Sequence, residues 1–287
     1  MRKLTAAALI AAACGGSPRL PGAPRGETVL EVRGTIQRSP IALGAADLAA
    51  LPRGTVRGRD PASGDEAAWE GTSLAALVQR VRPLKRAPPD TMVVRTSDGA
   101  AVPIPLTLVR QLKPVLAEQA DGKPVERVLA WPNLEQRGLA ADPRAAGWWA
   151  RGVVALELVQ WSRAFGPALA PPIGSSAAAR VGAGVFAARC VSCHALRGAG
   201  GTLGPDLSAV ATRLDEGRFG AAVEGHDFTK RGLAALGPAD RDQLWAYLAV
   251  IARSPQPEPQ PPRDDRRGAD DDERDGEVMP PPRPGGY

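Results

Sequence analysis

Of the three cysteines and two histidines in this 287-residue chain, two cysteines and one histidine fall within a single pentapeptide, Cys190-Val191-Ser192-Cys193-His194. No other feature restricts the chain so sharply. Two thiols three residues apart lie on one side of a helical turn, and the adjacent histidine presents its imidazole beside them. The remaining cysteine, Cys14, closes an apolar stretch, Leu4–Ala13, that follows Arg2 and Lys3. A basic start and a short apolar run are the pattern of an export signal, and the run is too short to span a bilayer. It ends in Ala-Ala-Ala-Cys-Gly-Gly, which resembles a bacterial lipobox with Ala11 where leucine is more usual. Lipidation of Cys14 is the expectation, and plain cleavage of the leader is the alternative. The expected location is periplasmic, tethered to a bacterial membrane as a lipoprotein. Exported proteins can use disulfides, but once each cysteine has its role no pair is left to form one.

Three chemistries use a C-x-x-C element. A bare zinc site would have to recruit Cys190, Cys193, His194 and His226, which is every histidine in the chain. A redox dithiol of thioredoxin type needs a βαβ context that the sequence around 190 does not offer. The third reading is covalent haem. Thioether bonds to the two vinyl groups need both sulfurs on one side of the macrocycle, and the next residue, His194, then points at the iron.

The rest of the chain divides by pattern. Residues 15–27 read as a flexible tether. Thr28–Ile36 alternates, with Leu30, Val32 and Ile36 on one side, as a half-buried strand does. Leu74, Leu77, Val78 and Val81 share one face of a short helix. Strand-like runs recur at Thr91–Thr96, Val125–Trp131 and Gly152–Trp161, so 28–162 is expected to be a mixed α and β domain. A proline-glycine joint covers 163–176. From Ser175 the pattern is helical, with Val181, Val185 and Ala188 on a common face, and a final helix starts at Pro238 with Leu244, Trp245, Leu248 and Ile251 as its stripe. Residues 254–287 hold 9 prolines among 34 residues and almost no apolar side chains, so they are expected to remain disordered. The chain carries a net charge of +5, and its first 176 residues are the basic part, with 22 Lys/Arg against 15 Asp/Glu, or +7. No basic block with interleaved aromatics marks a nucleic-acid surface.

Residues 177–253 resemble a class I cytochrome c domain, which is all-α. The resemblance rests on Phe186 and Gly182 one and two turns before the first cysteine, on Gly204-Pro205-Asp206-Leu207 after the histidine, and on the closing helix Gln243-Leu244-Trp245-Ala246-Tyr247-Leu248. It implies one haem c, an iron bond from His194, and a hydrogen bond from the His194 Nδ1–H to the Pro205 carbonyl. Gly182 would let Trp245 or Tyr247 approach its backbone. One departure matters. The family's methionine ligand is absent, since Met1, Met92 and Met279 are the only methionines and Gly232-Leu233 occupies its place. His226 is the leading replacement as sixth ligand; a vacant site and Lys230 are the alternatives.

Residues 28–162 resemble the sulfite-oxidase-like, molybdopterin-binding fold. The matching stretches are Thr28–Ile36, the segment leading into Leu74–Val81, Ser97–Val109 and Gly152–Trp161. Members that hold molybdenum do so through a cysteine thiolate, and none lies between Cys14 and Cys190. No molybdenum cofactor is expected, and the five tryptophans Trp69, Trp131, Trp148, Trp149 and Trp161 are read first as packed core. The expectation is an electron carrier, not a catalyst, that works with redox partner proteins. A haem-based sensor and the electron-exit subunit of a molybdopterin-type oxidoreductase are the rivals. Because the haem would be covalent, it should stay with the polypeptide through denaturing electrophoresis. Replacing both Cys190 and Cys193 by alanine is expected to abolish in-gel haem staining; persistent staining would exclude thioether attachment.

Overall fold

The computed structural model describes residues 23–255 apart from Pro143. Cys14 and its leader, the start of the tether and residues 256–287 lie outside the described residues, so the lipidation and tail expectations are not addressed by it. The N-terminal domain is built from two five-stranded sheets. The first has the order β2-β1-β10-β5-β6, with β1 at Thr28–Gly34, β2 at Ile41–Gly44, β5 at Thr91–Thr96, β6 at Ala101–Pro105 and β10 at Val153–Val159. The second has the order β3-β4-β7-β8-β9, formed by Arg53–Arg59, Glu66–Ser73, Val115–Ala120, Lys123–Ala130 and Ala150–Arg151. All pairings are antiparallel except β1 with β10, which sets the first and last strands side by side. Short helices join the strands: α1 (Ala45–Ala49), α2 (Leu74–Arg80), α3 (Leu106–Leu112) and α4 (Arg137–Ala141).

The alternation in β1 buries Leu30 and Val32 and leaves Arg33 outside. In α2 the Ser73 hydroxyl caps the helix by accepting from the Ala76 N–H, and Leu74, Leu77 and Val78 are buried as their spacing predicts. Strands β3 and β4 carry little apolar alternation, and a glycine explains each case. A side chain at Gly58 would meet the Trp131 carbonyl at 2.4 Å, and one at Gly71 would meet the Leu116 carbonyl at 1.9 Å. Close backbone approach has replaced the apolar side chains that mark a strand in sequence. Trp69, Trp131, Trp148 and Trp149 all belong to the core shared by the two sheets. Trp131 donates its indole N–H to the Trp148 carbonyl at 2.9 Å, and Trp69 donates to Gly58 at 3.0 Å.

The C-terminal domain is helical apart from a two-residue ladder, β11 (Ala195–Leu196) with β12 (Ala199–Gly200). Its helices are α7 (Ala177–Arg189), α8 (Val210–Arg213), α9 (Glu216–Glu224) and α10 (Pro238–Arg253). None of the described helices is long and apolar enough to cross a membrane. The buried face of α7 is Ala179, Gly182 and Phe186. Val181, expected on that face, is 52% exposed. The reason is the crossing with α10, where a Cβ at Gly182 would lie 1.9 Å from the Gln243 carbonyl and 2.8 Å from the Tyr247 Cβ. The helices touch at a glycine, which an apolar count cannot see. Of the two aromatics expected there, Tyr247 is the one enclosed, with Phe186 6.1 Å away.

The segment 163–176, read from composition as a joint, begins as ordered structure. Helices α5 (Trp161–Ala164) and α6 (Gly166–Leu169) lead into it, and Phe165 and Leu169 are buried in the C-terminal domain's own core. The Tyr247 hydroxyl donates to the Leu169 carbonyl at 2.6 Å. Two apolar side chains outweigh the surrounding Pro and Gly. The domains also meet directly. The Ala101 N–H donates to the Ser192 carbonyl at 2.8 Å, the Thr202 N–H to Gly99 at 2.8 Å, and Arg95 to Gly200 at 3.1 Å. Val93 and Ala101 from β5 and β6 join the same apolar cluster as Phe186 and Leu248.

Gly182→Ala should therefore force α7 and α10 apart and lower stability by about 1–3 kcal/mol. Gly184→Ala, on the same helix with nothing within 4 Å of the added carbon, should instead gain about 0.5–1 kcal/mol. Urea titration of both variants checks the pair; equal effects would show that the crossing is not set at Gly182.

Candidate functional site

Helix α7 ends at Arg189, and Cys190 caps it in the right-handed region. The chain continues in one tight turn, with the Cys193 N–H donating to the Cys190 carbonyl at 3.0 Å and the His194 N–H to the same oxygen at 2.8 Å. Cys190, Cys193 and His194 are thereby gathered at one end of a cavity of about 480 Å³ with a mostly apolar wall. That size falls in the range of about 300–1,000 Å³ usual for small-molecule and cofactor sites.

The His194 Nδ1 lies 2.8 Å from the Pro205 carbonyl. A carbonyl oxygen can only accept, so this bond places the ring proton on Nδ1 and leaves the Nε2 lone pair free to ligate. Burial holds the His194 imidazole below its ordinary range; the Pro205 bond acts the other way, and nearby His226 adds to the lowering. The loop that delivers Pro205 comes so close that a side chain at Gly204 would sit 2.3 Å from His194 Cε1 and 2.6 Å from Nδ1. Only glycine lets this backbone pass against the ring.

His226 lies across the cavity, beyond the C-terminus of α9. The His194 and His226 ring centroids are 6.0 Å apart with the planes at 57°. Two metal–imidazole bonds of about 2 Å each, plus the reach from each nitrogen to its ring centre, come to about 6 Å. The two rings therefore stand at the separation that one iron atom between them requires. Phe228 stacks near His226 at 4.5 Å. Leu233 is buried and contributes an inert wall where the family has its methionine. Lys230 has an 81% exposed side chain, reaches Asp227 at 3.9 Å, and does not line the cavity. The structure thus brings His226 and Leu233 to the site and leaves Lys230 outside.

The donor set can be tested against the three chemistries. Burial pushes the Cys190 thiol up to about 12. A thiol held neutral is a poor redox nucleophile, whereas a thioether is neutral and suffers no such cost. Among the described residues no group of three His, Cys, Asp or Glu side chains converges to hold a bare metal ion. The residues fit covalent haem instead: two thiols in the wall, one oriented imidazole, and an apolar cavity of adequate volume. Arg189 also lines the cavity, and its Nε is buried with no partner, a donor that a bound group's acceptor could satisfy. Sequence inspection did not single out Arg189, Phe228 or Arg231. Their role comes from long-range loop packing, and only the nearness of Phe228 and Arg231 to His226 hinted at it.

Residues 179–251 match the family model described as Cytochrome c. No curated protein matches the chain. The C-terminal part is thus a cytochrome c domain, and covalent haem with electron transfer is what such a domain supports. Gly204→Ala is expected to tilt His194 and strain the Pro205 loop at a cost of about 1–3 kcal/mol. The ferric absorption spectrum of that variant should show a mixture of coordination states; a spectrum identical to the parent would show that the loop yields without moving the ring.

Proposed function

We propose that this protein is a periplasm-facing electron carrier in which a single haem c is held by Cys190 and Cys193, with His194 and His226 as its axial ligands. The observation that supports this most is the pair of imidazoles with ring centroids 6.0 Å apart in the wall of an apolar cavity that the two thiols also line. Bound there, haem supplies a one-electron ferrous/ferric couple, and the protein's part is to fix it and set its potential. Pro205 holds the His194 tautomer and makes its free nitrogen more basic, which favours the ferric state. Imidazole in place of a thioether acts in the same direction, while the apolar wall around Leu233 and Phe228 disfavours added positive charge and acts in the other. In this reading the protein is a carrier rather than a catalyst with its own substrate. The N-terminal domain, sulfite-oxidase-like in its motifs but without a cysteine to hold molybdenum, serves as a docking module. A lipid on Cys14 keeps the chain at the membrane near its redox partner proteins.

One observation favours a second reading. His226 is exposed and sits on a loop rather than on a helix or strand, so a small ligand could displace it and make the domain a sensor. The ferric spectrum separates the two. A six-coordinate low-spin form that becomes high-spin in His226→Ala, with a raised reduction potential, is the expected outcome. A ferric form that is high-spin from the start, or that ignores the substitution, rules out His226 as ligand.

A further inference from the structure

The loop that carries His226 is tied to its own domain through backbone bonds, with the His226 N–H donating to the Val223 carbonyl at 3.2 Å, Phe228 N–H to His226 at 3.1 Å and Leu233 N–H to Phe228 at 3.1 Å. Between α9 and α10 the only regular element is a single 3-10 turn, Thr229–Arg231, followed by Gly232 in the left-handed region at φ +65. Its own domain fixes it at Arg189, whose guanidinium donates to the Ala234 carbonyl and lies 6.0 Å from the Phe228 ring. The contacts at the centre of the loop go to the other domain. Arg231 pairs with Asp98 at 3.0 Å. Gly232 presses against Pro61 so closely that a Cβ would lie 2.4 Å from the Pro61 Cβ and 2.5 Å from its carbonyl carbon. A Cβ added at Gly147 would stand 3.5 Å from the end of Leu233.

The surface that receives the loop is well braced. Asp60, 1% exposed, ties the turn carrying Pro61 by accepting from the Ala62 N–H at 2.8 Å, and its backbone pairs with Asp65 and Gly64. The second Asp60 oxygen pairs with Arg151, whose guanidinium lies 5.8 Å from the Trp69 ring centre in the domain core. Asp98 is fixed in the β5–β6 turn by the Thr96 hydroxyl and the Ala100 N–H. A second cavity of about 340 Å³ lies between the domains and is bordered by Leu233, Trp148 and Trp161. The loop therefore has space beside it, and close packing alone does not hold it shut.

We infer that the N-terminal domain is a clamp on the distal side of the haem site, and that the Asp98–Arg231 pair is its latch, positioning His226 opposite His194. This rests on the reading of His226 as the sixth ligand. Neither latch residue need touch the iron; they are positioning residues that set how often His226 leaves and admits another ligand. A rigid N-terminal domain then stabilises six-coordinate haem, and anything that moves the Asp98 turn opens the site to small neutral donors.

The test uses the full-length ferric holoprotein and the rate of imidazole binding, measured by rapid mixing at a pH where imidazole is uncharged. A half-exposed ion pair is worth a factor of roughly two to five, so Asp98→Asn should speed imidazole binding by about that factor. Asparagine keeps an oxygen to accept from Ala100, which spares the turn. Arg231→Gln should give the same increase from the other side, and the double variant should add nothing further, because both changes break one contact. The parent rate should rise with salt and the variant rates should not, since only the parent has a charge pair to screen. If Asp98→Asn binds imidazole at the parental rate, or the two substitutions multiply, the latch is overturned while His226 ligation stands. If His226→Ala binds imidazole no faster than the parent, the ligand assignment itself fails and the clamp with it.

Discussion

The hydrogen bond between His194 and the Pro205 carbonyl orders much of what surrounds it. It needs the Gly204 backbone to run against the imidazole face, which only a residue without a side chain permits. That loop in turn settles on the turn of Cys190–His194, with Gly204 N–H donating to the Cys193 carbonyl at 2.8 Å. The turn is fixed at its other end by α7, and α7 is fixed by its glycine contact with α10. A chain of close backbone approaches therefore runs from the final helix to the iron-facing nitrogen. Two of the links, at Gly182 and Gly204, need a residue without a side chain, and backbone hydrogen bonds make the others.

The same economy governs the junction between domains. The β5–β6 hairpin does not merely abut the C-terminal domain; Ala101 donates to Ser192, one of the two residues between the cysteines. The edge of the site where the thioethers would form is thus bonded to the N-terminal domain's sheet. Phe165 and Leu169, between the domains in sequence, are buried in the C-terminal core and shorten the connection further. Motion of one domain relative to the other would have to break apolar packing, four backbone or side-chain hydrogen bonds around Gly99–Ala101 and Arg95, and the Arg231–Asp98 pair. For an electron carrier this has a simple consequence: the N-terminal domain belongs to the environment that sets the potential and access of the haem.

Much of this was legible in residues alone. The C-x-x-C-H spacing, the apolar face of the helix at Leu74–Arg80, the alternation of Thr28–Gly34 and the strand at Thr91–Thr96 all report local geometry, and local geometry is what side-chain periodicity encodes. Pro205 was legible too, through its resemblance to a known loop. What failed were readings that depend on one element meeting another. The exposed Val181 was assigned to a buried face because the true contact is made at Gly182, and β3 and β4 escaped notice because Gly58 and Gly71 do the work that apolar side chains usually do.

The sequence by itself determined the chemistry: two thiols and an imidazole in one turn, the absence of a usable methionine, and the absence of a cysteine in 28–162. Tertiary structure decided which of the remaining donors reaches the cavity. In sequence His226 lies seven residues before Leu233 and Lys230 only three, so His226 is the expected ligand by its imidazole although the lysine is nearer along the chain. The single 3-10 turn and the left-handed Gly232 reverse that order, folding His226 towards His194 and sending Lys230 to solvent. The folded loop meets Pro61 and Asp98, residues more than a hundred positions away. Contacts at that separation are chosen by the packing of whole domains, where no local pattern of side chains can record them.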